Sequence, residues 1–134
     1  MMIKLTAPTR ESDEHGSGYY GAPRGKRTHR GVDYAAYPGS KVHAVTAGTV
    51  TKLGYPYEDD LSFRYVQITD GDGDDVRYFY VEPSVEEGDI IDADDIIGTV
   101  QDTGKRYPNI TPHVHFEVKL GGSYLDPVDY LERL

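Results

Sequence analysis

Two runs rich in aromatic and β-branched residues, Tyr65 to Thr69 and Val76 to Val81, flank the tract Asp70-Gly71-Asp72-Gly73-Asp74-Asp75. Such side chains fit the pleated surface of a strand, and a Gly/Asp cluster between two such runs makes a hairpin connection. The tract also resembles the front half of a calcium loop. Its twelfth position, however, is Val81 where a glutamate is needed, and its flanks read as strands rather than helices. A hairpin is therefore the expectation. Short strands are predicted at 42–45 and 48–53, and two more at 96–100 and 113–120. Asp126-Pro127 opens a short helix through Leu131, with Asp126 as N-cap and Pro127 at the first helical position. Residues 7–31 are polar and Gly-rich and read mostly as loop. The expected fold class is mainly β: a single-domain antiparallel sheet with long loops and a short C-terminal helix. It divides into a leading segment at 1–30, a β core at 31–126 and the helix at 127–132.

A chain of 134 residues is one domain by length and can bury roughly 70% of its unfolded surface. The net charge of −9 disfavours nonspecific contact with nucleic acid or anionic membrane. No stretch approaches the ~20 apolar residues that span a bilayer. Met1-Met2-Ile3-Lys4-Leu5 lacks the apolar run and small-residue cleavage site of an export signal. Without cysteine there is neither a disulfide framework nor a thiolate ligand or nucleophile. Arg24, Lys26, Arg27 and Arg30 cluster beside His29. They form either a solvated loop or a positive patch for an anionic substrate. The acidic residues Glu86, Glu87, Asp89, Asp92, Asp94 and Asp95 read as solvated surface.

The chemistry concentrates in His113-Val114-His115-Phe116-Glu117-Val118 and His29-Arg30-Gly31-Val32-Asp33. Residues two apart on a strand share a face, so His113 and His115 present two imidazoles to one spot. His29 and Asp33 can converge from their four-residue spacing, and Gly31 between them lets the backbone bend or approach another strand closely. With His115 as third ligand these residues make a His-Asp-His set, the inventory of a catalytic zinc site with an open position. His113 is then a metal-adjacent acid/base with an ordinary pKa near 6.5. Glu117 falls on the same strand face. Either it orients an imidazole by accepting its second N–H, or it is a strand-end carboxylate paired with a Lys or Arg. His43 is expected to face solvent or the back of the sheet. His15 lies in the leading loop, with a groove or fourth-ligand role open to it.

From about Gly16 onward the chain resembles the lysostaphin/LytM-like zinc metallopeptidases, proteins of the duplicated-hybrid-motif fold that cleave peptide cross-links in bacterial peptidoglycan. The resemblance is carried by His29 to Asp33, Pro38-Gly39 leading through Val42 and Ala44 into Ala47-Gly48, then Val85 to Asp89, Ile97-Gly98, Thr103-Gly104, His113 to Val118 and Asp126-Pro127. It implies Zn²⁺ held by His29, Asp33 and His115, and His113 as a catalytic acid/base. It also implies peptidoglycan stem peptides or cross-bridges as partners. One position departs. Active members carry a second catalytic His in a Tyr-x-His-Leu segment, and here Tyr78-Phe79-Tyr80-Val81 places Tyr80 in that slot.

The same substitution is found in the leukocyte cell-derived chemotaxins, to which Asp13 to Tyr19, Arg27 to Asp33, Phe79 to Pro83 and Tyr107 to His115 are similar. That branch resembles a zinc-binding, non-proteolytic signalling module, but its members bear cysteines and this chain has none. A phenol of pKa about 10 is a poor base at neutral pH. It can, however, donate a hydrogen bond to a developing oxyanion, an effect worth roughly 3 kcal/mol. Tyr80 is read either as that donor or as one more strand aromatic. The expected function is a zinc-dependent endopeptidase of peptidoglycan cross-links. The alternative is a catalytically weak or silent zinc-binding module with a binding or regulatory role. Lacking an export signal, the protein is expected to be made in the cytoplasm and to reach the wall after lysis-type release or as a virion component. Specificity is expected to reside in loops such as 54–63 and 101–112.

Overall fold

In the computed structural model, which describes residues 23–24, 27–28 and 31–134, the expected hairpin is present. Strand β6 (Tyr65–Thr69) pairs antiparallel with β7 (Asp75–Phe79). The turn is built on Asp70, whose Oδ1 accepts the backbone N–H groups of Asp72 and Asp74 at 2.9 Å each. Its Oδ2 accepts the hydroxyl of Tyr130 at 2.6 Å. Both oxygens of the first "calcium" carboxylate are thus taken, Oδ1 by the turn in a local side-chain bond typical of Asp and Oδ2 by the distant Tyr130.

The remaining strands are β1 (Pro23–Arg24), β2 (Arg27–Thr28), β3 (Val32–Ala35), β4 (Lys41–His43), β5 (Gly48–Gly54), β8 (Val81–Pro83), β9 (Ile90–Ile91), β10 (Ile96–Val100), β11 (His113–Leu120) and β12 (Ser123–Leu125). Helix α1 (Pro127–Glu132) begins as expected, with the Asp126 carboxylate accepting Val128 N–H at 3.0 Å and Pro127 in the first turn. A seven-stranded sheet runs β12-β11-β7-β6-β5-β9 with β3 added on β11, and a three-stranded sheet runs β4-β10-β8. β1 and β2 form a two-residue antiparallel ladder inside the segment read from sequence as loop.

Strand alternation sorts the side chains of the large sheet. Val32 and Tyr34, Val66 and Ile68, Val76 and Tyr78, and Val114, Phe116 and Val118 turn into the core, joined by Val42, Val81, Ile97 and Val100 of the small sheet. Phe116 and Tyr78 are fully buried and meet edge to face with centroids 5.2 Å apart. Truncating such a buried aromatic costs about 3–5 kcal/mol. Residues between these core positions, Asp33, Gln67, Arg77, Phe79, His113, His115 and Glu117, line the opposite face. That face carries the polar chemistry.

The expected strand 76–81 is divided. Tyr80 has φ 68°, and both its N–H and that of Val81 donate to the Arg64 carbonyl, at 2.8 and 3.2 Å. The left-handed residue takes the chain out of β7 in the large sheet and into β8 in the small one. A bulky side chain pays of order 1–3 kcal/mol for that backbone, and such strain gathers at functional positions.

Candidate active site

Asp33 stands directly opposite His115 in the β3–β11 register. The two meet at 2.8 Å between Asp33 Oδ1 and His115 Nδ1, and Asp33 Oδ2 lies 3.6 Å from His113 Nε2. The two imidazoles do share a face and converge on one carboxylate, as the His-x-His spacing predicts. Asp33 and His113 are each only 3% exposed, so the Asp33 charge acts with little solvent screening.

Glu117 satisfies both of its sequence readings at once. Its Oε1 accepts His115 Nε2–H at 2.9 Å, while its Oε2 lies 3.5 Å from the Arg77 guanidinium. Arg77 Nε in turn donates to Gln67 Oε1 at 2.8 Å. This row holds the His115 ring in place from the side away from Asp33. Both His115 nitrogens therefore donate to carboxylates. Burial works against the charged ring, but the hydrogen bonds and charges of Asp33 and Glu117 outweigh it and raise the His115 pKa to about 9.

His113 is set differently. Its Nδ1 donates to the Thr111 carbonyl at 2.8 Å. Because a carbonyl only accepts, the neutral ring carries its proton on Nδ1 and its lone pair on Nε2, toward Asp33. The Tyr80 ring packs edge to face on His113 with centroids 5.3 Å apart. Burial pushes the Tyr80 phenol up to about 12, so at neutral pH it is a donor and not a base.

Gly31 is the position where the absence of a side chain decides the geometry. A Cβ there would lie 2.3 Å from the Phe116 carbonyl oxygen and 2.9 Å from His115 Cε1. The close approach expected of Gly31 is made to β11 itself, at the histidine. His29 and His15, together with the side chains of Arg24, Lys26, Arg27 and Arg30, lie outside the described residues. His43 stands apart in the small sheet, with Nδ1 donating to the Asp94 carbonyl at 2.8 Å.

Among the described residues no group of three or more His, Cys, Asp or Glu makes a ready metal cluster. What they supply is a pair, Asp33 Oδ1 and His115 Nδ1, aimed at each other across a shared proton. Carboxylate and imidazole suit zinc, and the second His115 nitrogen is held by a carboxylate, as in zinc sites generally. On that chemistry the residues fit zinc, with one further ligand needed from outside the described set.

Sequence reasoning missed Tyr57, Arg106 and Tyr107, which surround Tyr80. Tyr57 Oη is 2.9 Å from Tyr80 Oη, and Tyr107 Oη donates to Tyr57 Oη at 2.8 Å. Tyr57 and Tyr107 are 50 residues apart, in loops with no periodic pattern, and no local signal marks them.

The model of peptidase family M23 matches residues 27–127. Leukocyte cell-derived chemotaxin-2 of Bos taurus is 32% identical over 128 residues, covering 96% of this chain and 82% of that protein. The DD-carboxypeptidase/endopeptidase Mpg of Neisseria meningitidis is 29% identical over 106 residues, 76% of this chain but 22% of that protein. The catalytic domain of the antimicrobial peptidase lysostaphin from Staphylococcus simulans superposes with a TM-score of 0.68 at 28% identity, covering 87% of this chain and 89% of that one. The mainly antiparallel fold is thus the lysostaphin-like fold that the sequence motifs resemble.

Proposed function

This chain belongs to peptidase family M23, and on that premise we propose that it is a zinc-dependent endopeptidase of bacterial peptidoglycan cross-links. The observation that carries the reading is the His113 geometry. Its Nδ1–H is fixed on the Thr111 carbonyl and its Nε2 is turned to the carboxylate that faces His115. An acid/base beside the metal needs an imidazole held in the basic tautomer, and His113 meets that need.

Asp33 and His115, with His29, would hold the zinc. When bound, zinc supplies a Lewis acid that polarises a carbonyl and acidifies water. His113 Nε2 takes the proton of the attacking water and returns it to the leaving amine, a general acid/base role of about 10²–10⁴-fold. The Tyr80 hydroxyl donates to the carbonyl oxygen as it gains negative charge. Glu117 holds His115 Nε2–H, so that Nδ1 is the ring nitrogen offered to the metal, and Arg77 fixes Glu117 in turn.

A second reading has its own support in Tyr80, which stands in the slot of a family catalytic His, and in the likeness to chemotaxin-2. In this reading the chain is a zinc-binding module with no useful peptidase activity. Digestion of purified sacculi separates the two. Release of soluble muropeptides that stops with a chelator, and with His113→Ala at full zinc occupancy, supports the peptidase. Stoichiometric zinc without release supports the silent module.

A further inference from the structure

The Tyr80 hydroxyl is the end of a chain of phenols. Arg106 Nε–H donates to Tyr107 Oη at 3.4 Å, Tyr107 Oη–H donates to Tyr57 Oη at 2.8 Å, and Tyr57 Oη lies 2.9 Å from Tyr80 Oη. A phenol has one proton to give. Tyr57 accepts the proton of Tyr107, so its own proton goes to Tyr80. Among the described residues Tyr57 is the hydrogen-bond partner of the Tyr80 hydroxyl, and in this polarity Tyr80 accepts there. Its own proton is then committed to an acceptor beyond the chain of phenols.

We infer that Arg106, Tyr107 and Tyr57 are positioning residues that orient the Tyr80 hydroxyl as a donor to the oxyanion of the substrate. The identity of that acceptor rests on the peptidase reading above. Bonds aligned in one direction polarise one another, so each strengthens the next.

The rings are held for this role. Tyr57 stacks on Tyr80 at 21° with centroids 6.2 Å apart, and Phe63 meets both edge-on. The Arg106 guanidinium sits 3.7 Å from the Tyr57 ring centroid and pairs with Asp59 at 3.2 Å. Tyr57 and Asp59 belong to the loop between β5 and β6, and Arg106 and Tyr107 to the loop between β10 and β11. The relay therefore links the two loops expected to shape the substrate groove to the oxyanion donor. Engagement of the right cross-link is felt at Tyr80.

The test uses the full zinc-loaded chain and a defined cross-linked muropeptide, with a peptide phosphinate as a tetrahedral mimic whose affinity is read without turnover. Tyr80→Phe is expected to lower kcat on the order of 10²-fold. Tyr57→Phe should lower kcat about fivefold, one hydrogen bond's worth, with KM unchanged and phosphinate affinity falling in step. In the Tyr80→Phe background the Tyr57→Phe change should have no further effect, because it acts through Tyr80. A Tyr57→Phe loss that persists in that background, or none in the wild-type background, overturns the relay. Should Tyr57→Phe fail to fold, Tyr107→Phe replaces it, with a smaller loss that again vanishes without Tyr80. If the wild type shows no turnover, the peptidase reading fails. The relay is then decided by the phosphinate alone, where equal affinity of Tyr57→Phe and wild type overturns it.

Discussion

Replacing Gly31 with alanine adds one methyl group at the most crowded point of the site. The new Cβ would stand 2.3 Å from the Phe116 carbonyl oxygen and 3.0 Å from His115 Nε2. The first neighbour is backbone of the central strand β11 and cannot rotate away. Ordinary van der Waals contact begins near 3.4 Å, so β3 must move off β11 by about an ångström. Overpacking of this kind costs about 1–3 kcal/mol. For a domain of this size, 2 kcal/mol lowers Tm by roughly 7 °C. The same displacement carries Asp33 away from His115, its direct cross-strand partner. Ligand distances in a metal site are held to about 0.2 Å, so zinc affinity should fall more steeply than stability. Thermal melts of metal-free protein and competition of a zinc chelator against loaded protein measure the two effects. A Gly31→Ala protein with wild-type Tm and wild-type zinc affinity would refute both the close approach and the ligand pairing.

Other outcomes follow from the same geometry. His113→Ala should retain one zinc per chain while muropeptide release falls by about 10²–10⁴-fold, the usual scale of an acid/base group. Elemental analysis and digestion of sacculi check the two halves. Glu117→Gln removes the carboxylate that accepts from His115 Nε2–H and should weaken zinc binding about 10–100-fold, measured by chelator competition. The raised His115 pKa of about 9 means that the metal-free ring is charged at pH 7. Zinc uptake there should release about one proton, which calorimetry in buffers of different ionisation enthalpy detects. A pKa raised on folding stabilises fully below the ordinary value near 6.5 and is lost as pH rises through the folded value. Metal-free protein should therefore lose stability between about pH 6.5 and 9, a trend that denaturant titrations across that range resolve.

The residues that make the site were legible where strand period did the work. His113, His115 and Glu117 share a face because they are two apart, and Asp33 joins them because Val32 and Tyr34 on either side are core. β6, β10 and β11 follow the expected ranges, and α1 follows its cap. What escaped the pattern was set by distant contacts. The run Val76 to Val81 is aromatic or β-branched apart from Arg77, so its composition hides the break at Tyr80, which is imposed by the Arg64 carbonyl. β3 has four residues and β9 two, too short for periodicity to register. The Tyr57–Tyr107 bond joins two loops whose tyrosines look alike to any local reading among the 12 in the chain. The contacts between these loops are what sequence pattern does not encode.

The most direct measurement is mass-spectrometric analysis of a defined cross-linked muropeptide incubated with zinc-loaded protein, with and without chelator. Cleavage is expected at a peptide bond of the cross-link, absent with chelator and absent with His113→Ala that still holds zinc. Intact substrate after prolonged incubation with stoichiometrically loaded wild-type protein would contradict it.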